Sequence, residues 1–114
     1  MAKTFNFNSL QRPVLEVTLP DENNTVIRVT TPTEAVVAKF IGVSRELPEL
    51  MKKPDGSIIR ELFAIYADVL SCNLEGLTFT AESLRDSYNL KLEDLILFNP
   101  VYLEFIDEIK NAKN

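Results

Sequence analysis

The sequence predicts a single α+β domain in which an N-terminal antiparallel β-hairpin or small sheet precedes three to five α-helices. Apolar residues alternate with polar ones before residue 31 and recur at helical spacing after it, and no long linker divides the 114 residues. A chain of this length with 46% hydrophobic residues can bury one core without disulfide bonds. We therefore expect one domain over residues 1–114, with a β-rich part over 1–31, a helical part over 32–109 and a frayed tail over 110–114.

The β-rich part contains two strands joined by a turn. Alternating apolar and polar residues predict one strand around residues 15–19 and another around residues 27–30. Between them, residues 20–24 read Pro-Asp-Glu-Asn-Asn, which are residue types that turns require. The stretch Thr4–Phe7 also alternates and predicts a third strand beside the hairpin. These strands should form a small antiparallel sheet with one solvent-facing side.

A capping pattern marks the start of the helical part. Thr31 suits the N-cap, Pro32 suits the first helical position, and Glu34 can close a capping box. The first helix is therefore predicted to begin at Pro32. Because Pro48 lacks an amide donor, we expect no unbroken helix across it, but a short helical turn followed by a loop.

Two further helices follow in the sequence. Ser57 can cap a helix whose broad apolar face belongs at the centre of the fold. Gly76 can adopt the positive φ needed where the chain leaves that helix. Thr80 can then cap a short helix that carries Leu84 and Tyr88.

The last predicted helix, over residues 92–109, is amphipathic. Pro100 interrupts it, so that the helix either kinks there or gives way to a new helix capped by Asn99. Aromatic residues recur along it at spacings of four and three, beside acidic residues, a pattern suited both to core packing and to docking against another apolar helix. The candidate partner-binding residues are Phe98, Tyr102, Phe105, Glu104, Asp107 and Glu108.

The residue types needed for most catalytic and cofactor sites are missing. The sequence has no histidine, one cysteine (Cys72) and three glycines, which removes His-assisted nucleophiles, cysteine–histidine zinc sites and phosphate-binding glycine loops. Adjacent carboxylates such as Glu93 and Asp94 suit the N-terminus of a helix. We expect no metal, no other cofactor and no enzymatic activity.

Charge and hydropathy indicate where the protein acts. Residues 58–114 contain five Lys/Arg and ten Asp/Glu, and so carry the whole net charge of −5. An acidic chain without a basic patch is not expected to bind nucleic acid. No apolar run approaches the roughly 18 residues that span a bilayer, and no signal peptide is recognisable, so we expect a cytoplasmic protein that does not insert into membranes.

Six segments of the chain occur in the same order as in a known protein family. They are Phe-Asn-Phe-Asn-Ser-Leu at 5–10, Leu-Glu-Val-Thr-Leu-Pro-Asp at 15–21, Val-Ile-Arg-Val-Thr-Thr-Pro-Thr at 26–33, Ala-Asp-Val-Leu-Ser-Cys-Asn-Leu-Glu-Gly at 67–76, Thr-Phe-Thr at 78–80 and Tyr-Leu-Glu-Phe-Ile-Asp-Glu-Ile at 102–109. Together they cover most of the chain, which resembles the tail assembly chaperones of long-tailed bacteriophages and prophages of Gram-positive bacteria. Asn99 and Pro100 depart from the uninterrupted last helix expected in that family.

The resemblance implies a role in virion assembly. Such a chaperone binds the tape measure protein, keeps it soluble and recruits tail tube subunits in the host bacterial cytoplasm, and it is absent from the mature virion. A frameshift-extended form is also implied. We expect either a monomer or a small homo-oligomer, in which the last helix contacts the tape measure protein or another copy of this chain. The alternative function is a structural virion component, such as a head–tail connector or a tail completion protein. A small enzyme that uses carboxylates alone and an acidic DNA mimic are the remaining alternatives.

Overall fold

A computed structural model describes residues 2–4, 13–50, 52 and 56–111. An antiparallel hairpin is followed by four helices in this part of the chain, which confirms the predicted α+β class. The elements are β1 (Leu15–Thr18), β2 (Val26–Val29), α1 (Glu34–Leu50), α2 (Gly56–Leu70), α3 (Ala81–Asp86) and α4 (Leu92–Asn111). Residues 5–7 of the predicted third strand and residues 112–114 of the predicted tail lie outside the described residues, whereas residues 110 and 111 of that tail belong to α4. Because α2 begins at Gly56, Ser57 lies inside the helix, and the prediction that Ser57 caps it is wrong.

The hairpin forms as its alternating pattern predicts. Leu15 pairs with Val29 and Val17 with Ile27, and these four residues lie on the side that packs against the core. In the turn, the Asp21 carboxylate accepts hydrogen bonds from the amide and hydroxyl of Thr25. Hydrogen bonds from Thr25, led by its hydroxyl, lower the pKa of Asp21 below its ordinary value. Asn24 adopts the positive φ of 48° that its residue type tolerates.

The edge of β2 that does not pair with β1 is covered by the loop that follows α2. The Thr30 amide donates to the Cys72 carbonyl at 2.8 Å, and the Leu74 amide donates to the Arg28 carbonyl at 3.0 Å. The Glu75 carboxylate accepts from the Arg28 amide at 2.7 Å and from its Nε at 2.8 Å. The bond from the backbone amide, followed by the one from the side chain, holds the pKa of Glu75 below its ordinary value. This loop therefore fastens the hairpin to the helical part.

Helix α1 begins two residues later than predicted. It starts at Glu34, and the Thr33 hydroxyl accepts a hydrogen bond from the Val36 amide at 3.3 Å. The prediction that Thr31 caps a helix starting at Pro32 is therefore wrong. Either threonine offers an acceptor, and the cap at Thr33 leaves Pro32 before the helix, where its ring is buried.

Two prolines lie inside helices. Helix α1 continues through Pro48, so the predicted break there is wrong. Helix α4 continues through Pro100, which excludes one of the two alternatives at that position, a new helix capped by Asn99. Each proline leaves the carbonyl four residues earlier without its usual amide donor. Because both prolines are exposed, that carbonyl faces the solvent side, where water can satisfy it.

Two predicted boundaries later in the chain are confirmed. Gly76 has a φ of 73° in the loop after α2. Thr80 caps α3, since its hydroxyl accepts from the Ser83 amide at 3.0 Å while the Ser83 hydroxyl accepts from the Thr80 amide at 2.9 Å. The predicted apolar residue of that helix, Leu84, is fully buried.

Helix α2 is the centre of the core, as its broad apolar face predicts. It contacts α1, α3 and α4, and it contributes buried residues over most of its length. One side-chain amide joins three helices, because Asn99 Oδ1 of α4 accepts from the Ser44 hydroxyl of α1 at 2.7 Å and from the Tyr66 hydroxyl of α2 at 3.0 Å. Burial raises the pKa of Tyr66 above its ordinary value, so the phenol stays protonated and continues to donate this bond.

Substitution of Thr33 tests the observed start of α1. Thr33→Ala removes the side-chain acceptor for the Val36 amide and should lower the free energy of unfolding by about 0.5–2 kcal/mol. Thr31→Ala is the matched control and should cost less. Urea denaturation of both variants measures the difference, and a larger loss at Thr31 would contradict this start of the helix.

Two buried tyrosines provide a matched test of the three-helix junction. Tyr66→Phe removes the hydrogen bond to Asn99 and should lower the free energy of unfolding by about 0.5–1.5 kcal/mol. Tyr102→Phe removes a buried hydroxyl that has no hydrogen-bond partner among the described residues, so it should leave stability unchanged or increase it. Equal losses in chemical denaturation would show that the bond to Asn99 contributes nothing.

Candidate partner-binding face

Two of the three predicted partner-binding aromatics belong to the core. Tyr102 is 0% exposed and Phe105 is 3% exposed, whereas Phe98 is half-buried. The ring centroid of Tyr102 lies 4.7 Å from that of Phe40 in α1 and 5.9 Å from that of Phe105. Of the two alternatives that the spacing of the aromatics left open, core packing therefore applies to Tyr102 and Phe105, because α1 as well as the hairpin and α2 contributes to the cover over this side of α4.

The Tyr102 hydroxyl lies in an apolar environment that suppresses its acid–base chemistry. It is buried and has no hydrogen-bond partner within the described ranges. Burial raises the pKa of Tyr102 above its ordinary value, and the nearby Cys72 thiol adds to the increase. A phenol in this state stays protonated near neutral pH. Cys72 itself is partly buried, and its thiol donates to the Asp68 carbonyl at an Sγ–O distance of 3.6 Å.

The three predicted acidic residues lie on the opposite side of α4 from the buried aromatics. Glu104, Asp107 and Glu108 are all exposed, and so is Glu93 in the first turn of the helix. The two ion pairs found among the described residues join Arg28 to Glu75 and Lys52 to Glu49, so none of these four carboxylates takes part in one. They therefore form an uncompensated acidic surface.

Exposed apolar side chains lie among these carboxylates. Leu97 is 72% exposed and Val101 is 46% exposed, and Pro100 beside them is exposed as well. Residues four apart on a helix are neighbours, so Leu97 and Val101 adjoin each other. The acidic–apolar face is defined by these apolar and acidic residues together: Leu97, Pro100, Val101, Glu93, Glu104, Asp107 and Glu108.

Sequence reasoning missed Leu97 and Val101, although a signal for them exists. Both sit in helical register with acids, since Glu93 precedes Leu97 by four residues and Glu104 and Glu108 follow it by seven and eleven. A helix side that carries both apolar and acidic residues stays exposed, because burial of an unpaired carboxylate costs free energy. The acids on their side of the helix therefore mark these apolar residues as surface residues.

A shallow groove adjoins the face. It lies between the end of β1 and the first half of α4 and has a volume of about 210 Å³. Its apolar lining includes Leu70, Leu90, Leu95 and Phe98. Phe98 precedes Val101 by three residues, so the groove and the acidic–apolar face meet along α4. Phe98 is thus the predicted aromatic that retains some access to solvent.

The groups assembled here suit association. Apolar side chains favour contact with other apolar surface, and the carboxylates around them favour a cationic partner. Among the described residues, no group of three His, Cys, Asp or Glu residues is arranged to hold a metal ion. None of the helices in the described ranges is both long enough and apolar enough to cross a membrane.

Comparison of the chain with protein-family models, with curated proteins and with solved structures gives no match.

A pair of alanine substitutions separates the two sides of α4. Phe105→Ala leaves a cavity in the core and should lower the free energy of unfolding by about 3–5 kcal/mol. Leu97→Ala removes a side chain that is already mostly hydrated, so the change should stay within about 0.5 kcal/mol. Thermal and urea melts measure both, and a large loss for Leu97→Ala would place that residue in the core.

Proposed function

We propose that this protein is a tail assembly chaperone of a long-tailed phage or prophage of a Gram-positive bacterium. It binds the tape measure protein, keeps it soluble and recruits tail tube subunits in the host cytoplasm, without becoming part of the mature virion. The observation that carries the binding activity is the acidic–apolar face of α4, where Leu97 and Val101 are exposed among carboxylates. The tape measure protein and the tail tube subunits enter the proposal through the sequence resemblance.

The composition of the face suits a chaperone for an apolar helical client. Burying apolar surface contributes about 25 cal/mol per Å², so Leu97 and Val101 supply attraction when a client covers them. The carboxylates next to them remain hydrated and keep the net charge negative. In the complex, the client's apolar surface is covered and the carboxylates of this protein face the solvent instead. Repulsion between these like charges opposes aggregation of the complex.

Co-expression with the tape measure protein of the same phage tests this role. The double variant Leu97→Ser, Val101→Ser removes the exposed apolar side chains and should reduce the soluble fraction of the client. If the lost contact is worth about 1.4 kcal/mol, binding weakens about tenfold. The measurement is the amount of tape measure protein in the supernatant after centrifugation, with wild-type chaperone as the reference.

A matched control comes from another exposed leucine. Leu74 is 54% exposed and lies in the loop beside β2 rather than on α4, so Leu74→Ser should leave client solubility unchanged. Thermal melts must first show that all variants are folded. A client that remains as soluble with the α4 double variant as with wild type would contradict the proposal. Stoichiometric amounts of this protein in purified virions, measured by mass spectrometry, would instead favour a structural virion component.

A further inference from the structure

We infer that the acidic–apolar face binds an amphipathic helix whose apolar stripe is bordered by Lys or Arg, and that it does not bind a second copy of this chain. The inference rests on the proposed function where it assigns this helix to the tape measure protein. The chemistry of the partner helix itself follows from the residues of α4.

The charge on this side of α4 has a single sign. Glu93, Glu104, Asp107 and Glu108 are exposed here, and the basic residue of the last turn, Lys110, lies at the border of the face, three residues after Asp107. Lys110 follows Val101 by nine residues, which at 100° per residue places it about half a turn away around the helix. Since these carboxylates form no ion pair within the described ranges, cations from a partner would not have to displace an internal one.

The spacing of the carboxylates gives the length of the partner segment. Glu93 and Glu108 are fifteen residues apart, which corresponds to about 22 Å along the helix axis. Leu97 and Val101 lie between them. A partner helix of about four turns can thus place apolar residues on Leu97 and Val101 while basic residues at its borders approach the carboxylates at both ends.

The same charges disfavour self-association through this face. A second copy docked face to face would bring four carboxylates against four more, with no cation between them. In such a dimer, each close pair of carboxylates repels, by about 1 kcal/mol at 4 Å even in water. A basic helix would meet the same carboxylates with attraction. The same three apolar side chains would be covered equally well by a basic helix, which adds attraction in place of this repulsion, so the favoured occupant has the opposite charge.

The small apolar area also indicates a reversible contact. Stable interfaces bury about 800 Å² on each partner, whereas the face offers a single helix surface with three apolar side chains. Charge attraction then contributes much of the association, and binding should weaken as salt screens it. Reversibility suits a chaperone that must release its client when the tail tube assembles.

Synthetic helices test the partner chemistry independently of the tape measure protein. The probes are two 22-residue amphipathic peptides with identical apolar stripes, one bordered by Lys and the other by Glu. Fluorescence anisotropy should show at least about tenfold tighter binding of the Lys-bordered peptide to the wild-type protein at low salt, and this preference should shrink as NaCl is raised.

Charge reversal identifies the surface. The variant Glu104→Lys, Glu108→Lys should bind the Lys-bordered peptide at least about tenfold more weakly and gain affinity for the Glu-bordered one. The control Glu46→Lys, Glu61→Lys alters net charge equally at exposed positions of α1 and α2, and should change the affinity less than about twofold. Circular dichroism checks that both variants are folded.

The outcomes separate this inference from the proposed function. Equal affinity of wild type for both peptides, failure to bind either, or equal loss in both charge variants would overturn the inference. So would a wild-type dimer, seen by analytical ultracentrifugation, that dissociates when Leu97 and Val101 are replaced by Ser. If the Lys-bordered peptide binds as expected while the tape measure protein stays insoluble, the partner chemistry holds and the tail chaperone role fails.

Discussion

The packing of Tyr102 sets the rotation of α4 about its own axis, and the surface of the protein depends on that rotation. Tyr102 lies against Phe40 of α1 and beside Phe98 and Phe105 of its own helix, with ring centroids 4.7–5.9 Å apart. A helix with this residue turned inward must turn the residues about half a turn away outward. Pro100 and Glu104, each two residues from Tyr102, are exposed for that reason.

The hydrogen bonds of the Asn99 side chain constrain α4 further, in addition to the apolar packing of Tyr102. Its Oδ1 accepts hydrogen bonds from Ser44 of α1 and Tyr66 of α2, which fixes α4 against both helices at one level. Apolar contacts alone would allow a helix to slide or rotate by small amounts, whereas a shared acceptor has one good position. Asn99 is followed directly by Pro100, so this constraint lies beside the exposed part of the helix.

The parts of the fold that sequence reasoning predicted depend on local chemistry. The hairpin follows from alternation and a turn, and the α3 cap follows from Thr80. The errors arise where tertiary context decides between local options. Thr31 and Thr33 are both good caps, and burial of Pro32 selects the second. Pro48 and Pro100 disfavour helix, but exposure lets water satisfy the freed carbonyls and the helices continue.

The candidate site shows the same division between local pattern and tertiary cover. Apolar residues occur on more than one side of α4, so periodicity identifies a helix but does not indicate which side is buried. Counting aromatics favoured Phe98, Tyr102 and Phe105 as the partner side, yet large rings are the residues a core needs most. The carboxylates are more informative, because burial of four unpaired acids would cost far more than exposure of one leucine and one valine. The positions of the acidic residues therefore distinguish the exposed side of an amphipathic helix from its core side, and here they identify Leu97 and Val101 as exposed apolar residues.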